Sequence, residues 1–462
     1  MYFKVSNKDV LKGLSSNVAK CLYEVDKLSD EVFLNNNKLQ SLVALEDKIE
    51  IFDSILTNGK AKDNARDNYS KNYSYFLSAL NKYAETNPEK WQDVCLFVLE
   101  RCVVLPIECD KEDTALKIFE TLNDRGLPLE DADIFKATIY RNITEEENKN
   151  DFIEDWKNLT SICEKAGMGI TGIFRLYSHV VRAETNDTSK EINLRDFYKK
   201  NNSDILNITI MPNLLELVEF WQYLHTGGEF KAESIPVDFT EENWKQIQVL
   251  YSYANDYWKH PISLFYLKNK NNPNFNEEFL VFQKKFITFL LTRFINNPTV
   301  NAVKNDIFKL CVNIWKGEAV NFPQEDLENI KNRLNDFNKG KLTFALLLLN
   351  AYSNNNQAKL TDSLNIEHIL PKKWEKANFT NWQKEDADKA MNMFGNKILL
   401  EESINKSLQY SSFNYKKDGY KNSKSLKAKE LASKQGDWTM ADVEKCNEDF
   451  INNILTFFEA NR

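Results

Sequence analysis

Histidine is scarce in this chain, four in 462 residues. Any chemistry that needs an imidazole must choose among His179, His225, His260 and His368. The seven cysteines (Cys21, Cys95, Cys102, Cys109, Cys163, Cys311 and Cys446) form no C-x-x-C pair, so neither a disulfide framework nor a four-thiolate zinc site is supported. No long apolar run exists; the longest, Phe344 to Leu349, is far too short to span a bilayer. The opening stretch MYFKVSNKDVLKG has no apolar region of the signal-peptide kind, and a reducing cytoplasm is the expected compartment. Gly and Pro are few, 13 and 10, and no repeat of 20 to 50 residues is visible, which excludes solenoids and propellers. Arg is outnumbered about five to one by Lys, which reads as the bias of an AT-rich bacterial genome rather than as chemistry.

What is present is enough apolar side chain, 42% of residues, to build two to four domains with real cores. The balance of 60 Lys+Arg against 68 Asp+Glu gives net -8, which argues against a uniformly basic coat but leaves room for a local basic patch. The texture predicts a mainly α protein: a multi-helix body with a small α+β domain at the C-terminus. Three segments are expected, over 1–145, 146–350 and 351–462. The first 80 or so residues read as helices. In NKLQSLVALEDKIEIFDSIL the apolar residues recur near a 3.6 period, until Asn58-Gly59 ends the pattern. A further helix is expected from about Pro88 to Arg101, then a short strand over Val103 to Cys109. Next, Asp113 or Thr114 caps a helix that Asn123-Asp124-Arg125-Gly126 breaks, giving a helix–turn–helix hairpin. From Glu145 to Leu349 the reading is helix after helix with aromatic stripes in the core. His179, His225 and His260 have no second His or carboxylate at metal-ligand spacing.

The tail changes texture. LNIEHILPKKW predicts a strand over Leu364 to Leu370, closed by Pro371. Thr380 has capping-box form and opens a helix to about Phe394. Gly395-Asn396 turns into a second strand, Lys397 to Glu401, and Ser403 caps a further helix, SINKSLQ. This order puts three polar groups where phosphodiester hydrolysis could use them. His368, at a strand end, can take a proton from water near pH 7. Glu367 beside it can face a metal, and Asn405 supplies a hard oxygen suited to Mg²⁺. Between Lys406 and Lys434 there are about eight Lys and two acidic residues, a stretch able to neutralise phosphates without reading sequence. Lys406, Lys416, Lys417 and Lys421 are the candidates for contact with a nucleic-acid backbone.

The blocks IEHILP, GNKILL and NKSLQ, followed by F-x-x-K-K and Tyr420-x-x-Ser423, resemble the His-Me finger (HNH) nuclease tail of GmrSD-type restriction proteins, over roughly Leu364 to Lys434. The resemblance implies a ββα-metal fold and His368 as general base. It also implies Asn396 as the residue that holds the hairpin and the His, with Glu367 and Asn405 at the metal. The second conventional His is absent, and Asn405 stands in its place. FETLNDRGLPL, Phe119 to Leu129, is similar to the later block of the family's ParB-like domain. Asn123, Arg125 and Gly126 are then the remnant of a nucleotide site. The D-G-Q-Q-R block of that domain is missing, so nucleotide hydrolysis requires that a separate or upstream polypeptide supply it. The reading that results is a Mg²⁺-dependent endonuclease acting on double-stranded DNA, with modified phage DNA as the implied substrate. The alternative is a non-catalytic DNA- or partner-binding scaffold, and a nucleotide hydrolase ranks third.

Overall fold

The computed structural model describes residues 12–26, 28–29, 31–39, 46–61, 67–103, 118, 130–200, 205–335, 340–353, 357–377, 379 and 381–462. The chain divides into two compact units, Met1–Pro128 and Leu129–Arg462. In the first unit the helix Lys12–Leu22 runs directly into an antiparallel hairpin of β1 (Tyr23–Val25) and β2 (Val32–Asn37). Asp26 Oδ1 accepts the main-chain N–H of Leu28 and of Ser29, each at 2.8 Å, and so shapes the turn. Periodicity alone gave only helices here; a three-residue strand carries too little alternation to be seen. The helix Glu46–Asn58 stops where Gly59 takes a φ of 62°, as Asn58-Gly59 predicted. Helix α1 (Asn68–Thr86) follows, its N-terminus capped by Asp67, whose carboxylate accepts Ser70 N–H at 2.7 Å. The helix expected over Pro88–Arg101 is present as a tight turn, Pro88–Lys90, an α segment, Trp91–Leu96, and a wide π turn, Phe97–Arg101. The strand expected after Val103, the helix capped at Asp113 or Thr114, and the block with Asn123, Arg125 and Gly126 lie outside the described residues.

The second unit is a helical body built on elements that are apolar over most of their surface. The elements used below are α2 (Ile170–Glu184), α3 (Ile210–His225), α4 (Glu241–Tyr251), α5 (Lys259–Asn269), α6 (Phe275–Asn296), α7 (Lys304–Lys316) and α8 (Gly340–Ser353). Helix α3 buries Ile210, Met211, Leu214, Leu217, Val218, Phe220 and Trp221, so it sits at the centre rather than on the surface. Its aromatics lock onto α5: Phe220 stacks on Tyr266 at 3.8 Å, and Trp221 Nε1 donates to Ser263 Oγ at 2.9 Å. The apolar run that is too short for a membrane, Phe344 to Leu349, turns right round α8, with Ala345 to Leu349 buried and Phe344 partly so. No helix among the described residues is long and apolar enough to cross a membrane.

The tail adds β3 (Leu364–His368), α9 (Lys384–Asn392), β4 (Lys397–Glu401), α10 (Glu402–Leu408), α11 (Phe413–Tyr420) and α12 (Met440–Ala460). β3 and β4 pair antiparallel, from Leu364 opposite Glu401 to His368 opposite Lys397. Alternation along β4 sends its side chains to two cores. Ile398 and Leu400 join the tail's own cluster with Phe413, Tyr420 and Trp438, whereas Leu399 joins the body's cluster with Leu346, Leu349 and Phe450. Body and tail therefore share a core, and the change of texture near residue 350 marks no gap between them. Two starts differ from the sequence reading. Helix α9 begins at Lys384 with Gln383 before it and no side-chain cap bond. Ser403 lies inside the first turn of α10, because the cap is Glu401, two residues earlier, where Glu402 N–H bonds Ser363 O at 2.8 Å.

Candidate functional site

In a strand, successive side chains point to opposite faces, although Glu367 and His368 both border the same cleft. His368 faces a cleft of about 480 Å³ that Pro371, Lys372, Asn405, Lys406 and Tyr410 also line. No described protein group hydrogen-bonds either nitrogen of its imidazole. Burial lowers its pKa to about 4, and the charges of Lys397, Lys372 and Lys416 act in the same direction. The ring is thus a neutral base at pH 7. Lys397, its partner in the ladder, donates to Asn392 O at 2.8 Å and Met393 O at 3.2 Å. Burial, then the charge of Lys372, brings Lys397 down to about 8.

The turn after His368 is held by Asn396, which is fully buried. Its Oδ1 accepts Leu370 N–H at 2.7 Å, its Nδ2 donates to Leu370 O at 3.1 Å, and its own carbonyl accepts Ile369 N–H at 3.0 Å. Gly395 before it must be glycine for a steric reason. A Cβ there would lie 2.0 Å from Val443 O and 2.6 Å from Asn447 N, both main-chain atoms of α12.

Glu367 is buried, and protein donors hold its carboxylate, a pairing that the sequence does not show. Its Oε1 accepts from Lys416 Nζ at 2.6 Å and from Tyr420 OH at 3.0 Å, so this oxygen is held by protein donors although the residue borders the cleft. Burial raises the Glu367 carboxyl pKa and lowers that of the Lys416 ammonium, while each charge opposes the other's shift. Lys416 is corrected: its side chain is 0% exposed, so it cannot reach a DNA backbone.

The other expected lysines separate by position. Lys406 borders the cleft, 72% exposed and paired with Glu402. Lys417 donates to Lys434 O and Gly436 O, both at 3.3 Å, and ties down a neighbouring loop. Lys421 is exposed and paired with Asp418 at 2.7 Å, away from the residues that line the cleft. Asn405 lines the cleft beside His368, and its side chain has no hydrogen-bond partner among the described residues. Helix α10 ends at Gln409, φ 42° and ψ -120°, the first central position of a type II′ turn closed by Ser411 N–H to Leu408 O at 3.0 Å. That turn presents Tyr410, 46% exposed, beneath Lys373 Nζ at 4.8 Å. Lys372, Lys373 and Tyr410 were missed in sequence. The signal for the lysines was there, since they follow Pro371 directly in IEHILPKKW.

Among the described residues no three His, Cys, Asp or Glu side chains gather as metal ligands. Two of the remaining histidines do meet, contrary to the expectation that they stand alone. His179 on α2 and His260 on α5 stack at 3.8 Å, and His179 Nε2 lies 3.4 Å from Glu191 Oε1. Their placement inside the body makes them packing residues.

Comparison with protein-family models finds two matches. Residues 7–140 match the N-terminal domain of GmrSD restriction endonucleases, and residues 323–453 match the C-terminal domain of GmrSD restriction endonucleases. No curated protein matches the chain. The two matches lie in the family's order, and the second contains the whole hairpin with His368, Asn396 and Asn405. The chain belongs to the GmrSD family of restriction endonucleases, for which DNA is the substrate.

Proposed function

We propose that the His368 cleft hydrolyses phosphodiester bonds of double-stranded DNA by a His-Me finger (HNH) mechanism with Mg²⁺. One observation carries the reading. A neutral imidazole opens on a cleft shared with Asn405, Lys372 and Lys406, and neither the imidazole nor the Asn405 amide has a hydrogen-bond partner among the described residues. A neutral imidazole open to water, beside cationic side chains that attract phosphate, is the arrangement that water activation on DNA requires. His368 takes a proton from water as the water oxygen attacks phosphorus. The bond from phosphorus to the leaving oxygen breaks, the leaving oxygen takes a proton from solvent, and the imidazole releases its own proton to solvent.

The donor set fits a cation that keeps most of its waters. Asn405 offers an amide oxygen that no described group uses, and Glu367 is outside the set while Lys416 holds it. When bound, Mg²⁺ supplies positive charge against the scissile phosphate and the leaving oxygen. Asn396 acts on main chain alone, keeping the turn after His368 in place. Modified phage DNA as the preferred target, and a partner polypeptide carrying the D-G-Q-Q-R block, extend the same reading from the family resemblance.

The test is nicking of supercoiled plasmid by the purified chain with Mg²⁺ and with a chelator. His368→Ala is expected to lower the rate by a factor of about 100 or more, the range for a general base, with an unchanged melting temperature. Undiminished cleavage by that variant overturns the proposal. Retained DNA binding with no cleavage under any divalent cation or nucleotide favours the scaffold reading instead.

A further inference from the structure

Lysine is almost never fully buried unless its charge is paired, and an ammonium has three N–H donors to place. Lys416 places all three. Nζ reaches Glu367 Oε1 at 2.6 Å, His368 O at 2.7 Å and Ile369 O at 3.2 Å. Two of these acceptors are main-chain carbonyls at the point where β3 ends, one of them belonging to His368 itself. Tyr420, four residues on and on the same face of α11, donates to the same Glu367 oxygen at 3.0 Å. Across the hairpin, Asn396 takes Ile369 and Leu370. The strand end that carries His368 is thus gripped from two sides: by an amide from β4's side and by an ammonium from α11. A buried carbonyl left without a donor is costly, so this segment would not keep its path without Lys416.

We propose that Lys416 is a positioning residue of the His368 site, with Glu367 as its counter-ion, and that it sets the main-chain path from which the imidazole reaches the cleft. Lys416 acts from beneath the sheet and touches no DNA. Glu367 and Lys416 work as one unit with Tyr420. The proposal rests on the nuclease reading of His368 for its kinetic consequences, although the grip itself is independent of that reading.

The experiment compares Lys416→Met with the parent and with Lys406→Ala in plasmid cleavage and DNA binding. For Lys416→Met the expected result is a fall in kcat of up to about 100-fold, the effect of a misplaced catalytic group, with KM and DNA affinity within about threefold. Lys406→Ala is expected to do the reverse. A second arm guards against a fold effect. The double variant Glu367→Gln/Lys416→Met removes both buried charges, and should recover the melting temperature lost in Lys416→Met without recovering kcat. A third arm uses the four histidines, labelled with ¹⁵N, the His368 signal being identified by its loss in His368→Ala. In Lys416→Met that signal should shift or broaden while those of His179 and His260 stay fixed. Unchanged kcat, or an unchanged His368 signal in a folded Lys416→Met variant, overturns the proposal. Should His368→Ala itself cleave normally, the nuclease reading fails while the histidine signal still decides the role of Lys416.

Discussion

The side-chain amide of Asn396 takes both main-chain polar groups of Leu370, accepting its N–H at 2.7 Å and donating to its carbonyl at 3.1 Å. Each bond lies in a fully buried setting, so removing the amide strands two groups at once. Asn396→Ala is therefore expected to destabilise the chain by about 2–6 kcal/mol, the sum of two buried groups left unpaired. Urea denaturation measures this. Cleavage should be lost at temperatures where the variant is still folded, because the turn that fixes His368 is no longer held.

Gly395 gives a steric prediction with a built-in control. Gly395→Ala pushes a Cβ into the backbone of α12 and should cost about 1–3 kcal/mol or more, since main chain cannot rotate out of the way. Gly340→Ala, where a Cβ meets nothing within 4 Å at a helix start, should leave the melting temperature unchanged or raise it slightly. Equal effects at both positions would refute the close approach of the hairpin turn to α12.

The paired histidines of the body predict acid sensitivity. Burial depresses the pKa of His260 well below its usual value, and that of His179 as well, with Arg175, Arg182 and Lys259 adding to the effect at one or both. The His179 hydrogen bond lowers Glu191 to about 2, with Lys304 helping. A folded state that resists protonation loses stability wherever the unfolded chain binds more protons. For the histidines this begins as pH falls below about 6.5, with a slope of up to about 1.4 kcal/mol per pH unit for each ring. Glu191 adds a further loss below its unfolded value, toward pH 2. Thermal melts between pH 7.5 and 5 should show the decline, and His260→Phe should make it shallower by removing one titration.

For DNA, cleft position rather than charge density should decide which lysines matter. Lys372→Ala and Lys406→Ala are expected to raise KM and each reduce the salt dependence of binding by about one ion, with kcat little changed. Lys421→Ala, paired with Asp418 and away from the cleft lining, should change neither. Titrations of fluorescent duplex at several salt concentrations separate these outcomes.

Much of the architecture was legible because it is written in spacing. The second strand, Lys397–Glu401, falls on the residues the Gly395-Asn396 turn signal predicted, and the helical body follows from its apolar periodicity. What spacing could not carry was direction. Glu367 and His368 are adjacent in sequence, yet strand alternation sends them to opposite faces, and Lys416 looks from sequence like any member of a lysine-rich stretch. Only the packing of α11 beneath the sheet shows that Glu367 and Lys416 are each other's partner. The meeting of His179 and His260 is also invisible in one dimension, since 81 positions separate residues that α2 and α5 bring ring to ring.

Helix α12 runs along both halves of the second unit. Phe450 stacks on Phe394 beside the hairpin turn at 4.2 Å, and Phe450, Ile451, Ile454 and Phe458 continue into the body's core. The hairpin and its cleft are consequently not a detachable cartridge. Excised at the change of texture near residue 350, the tail would carry an uncovered greasy strip along its last helix and would clump rather than cut. The hairpin can be moved intact only together with the helices on which that strip lies.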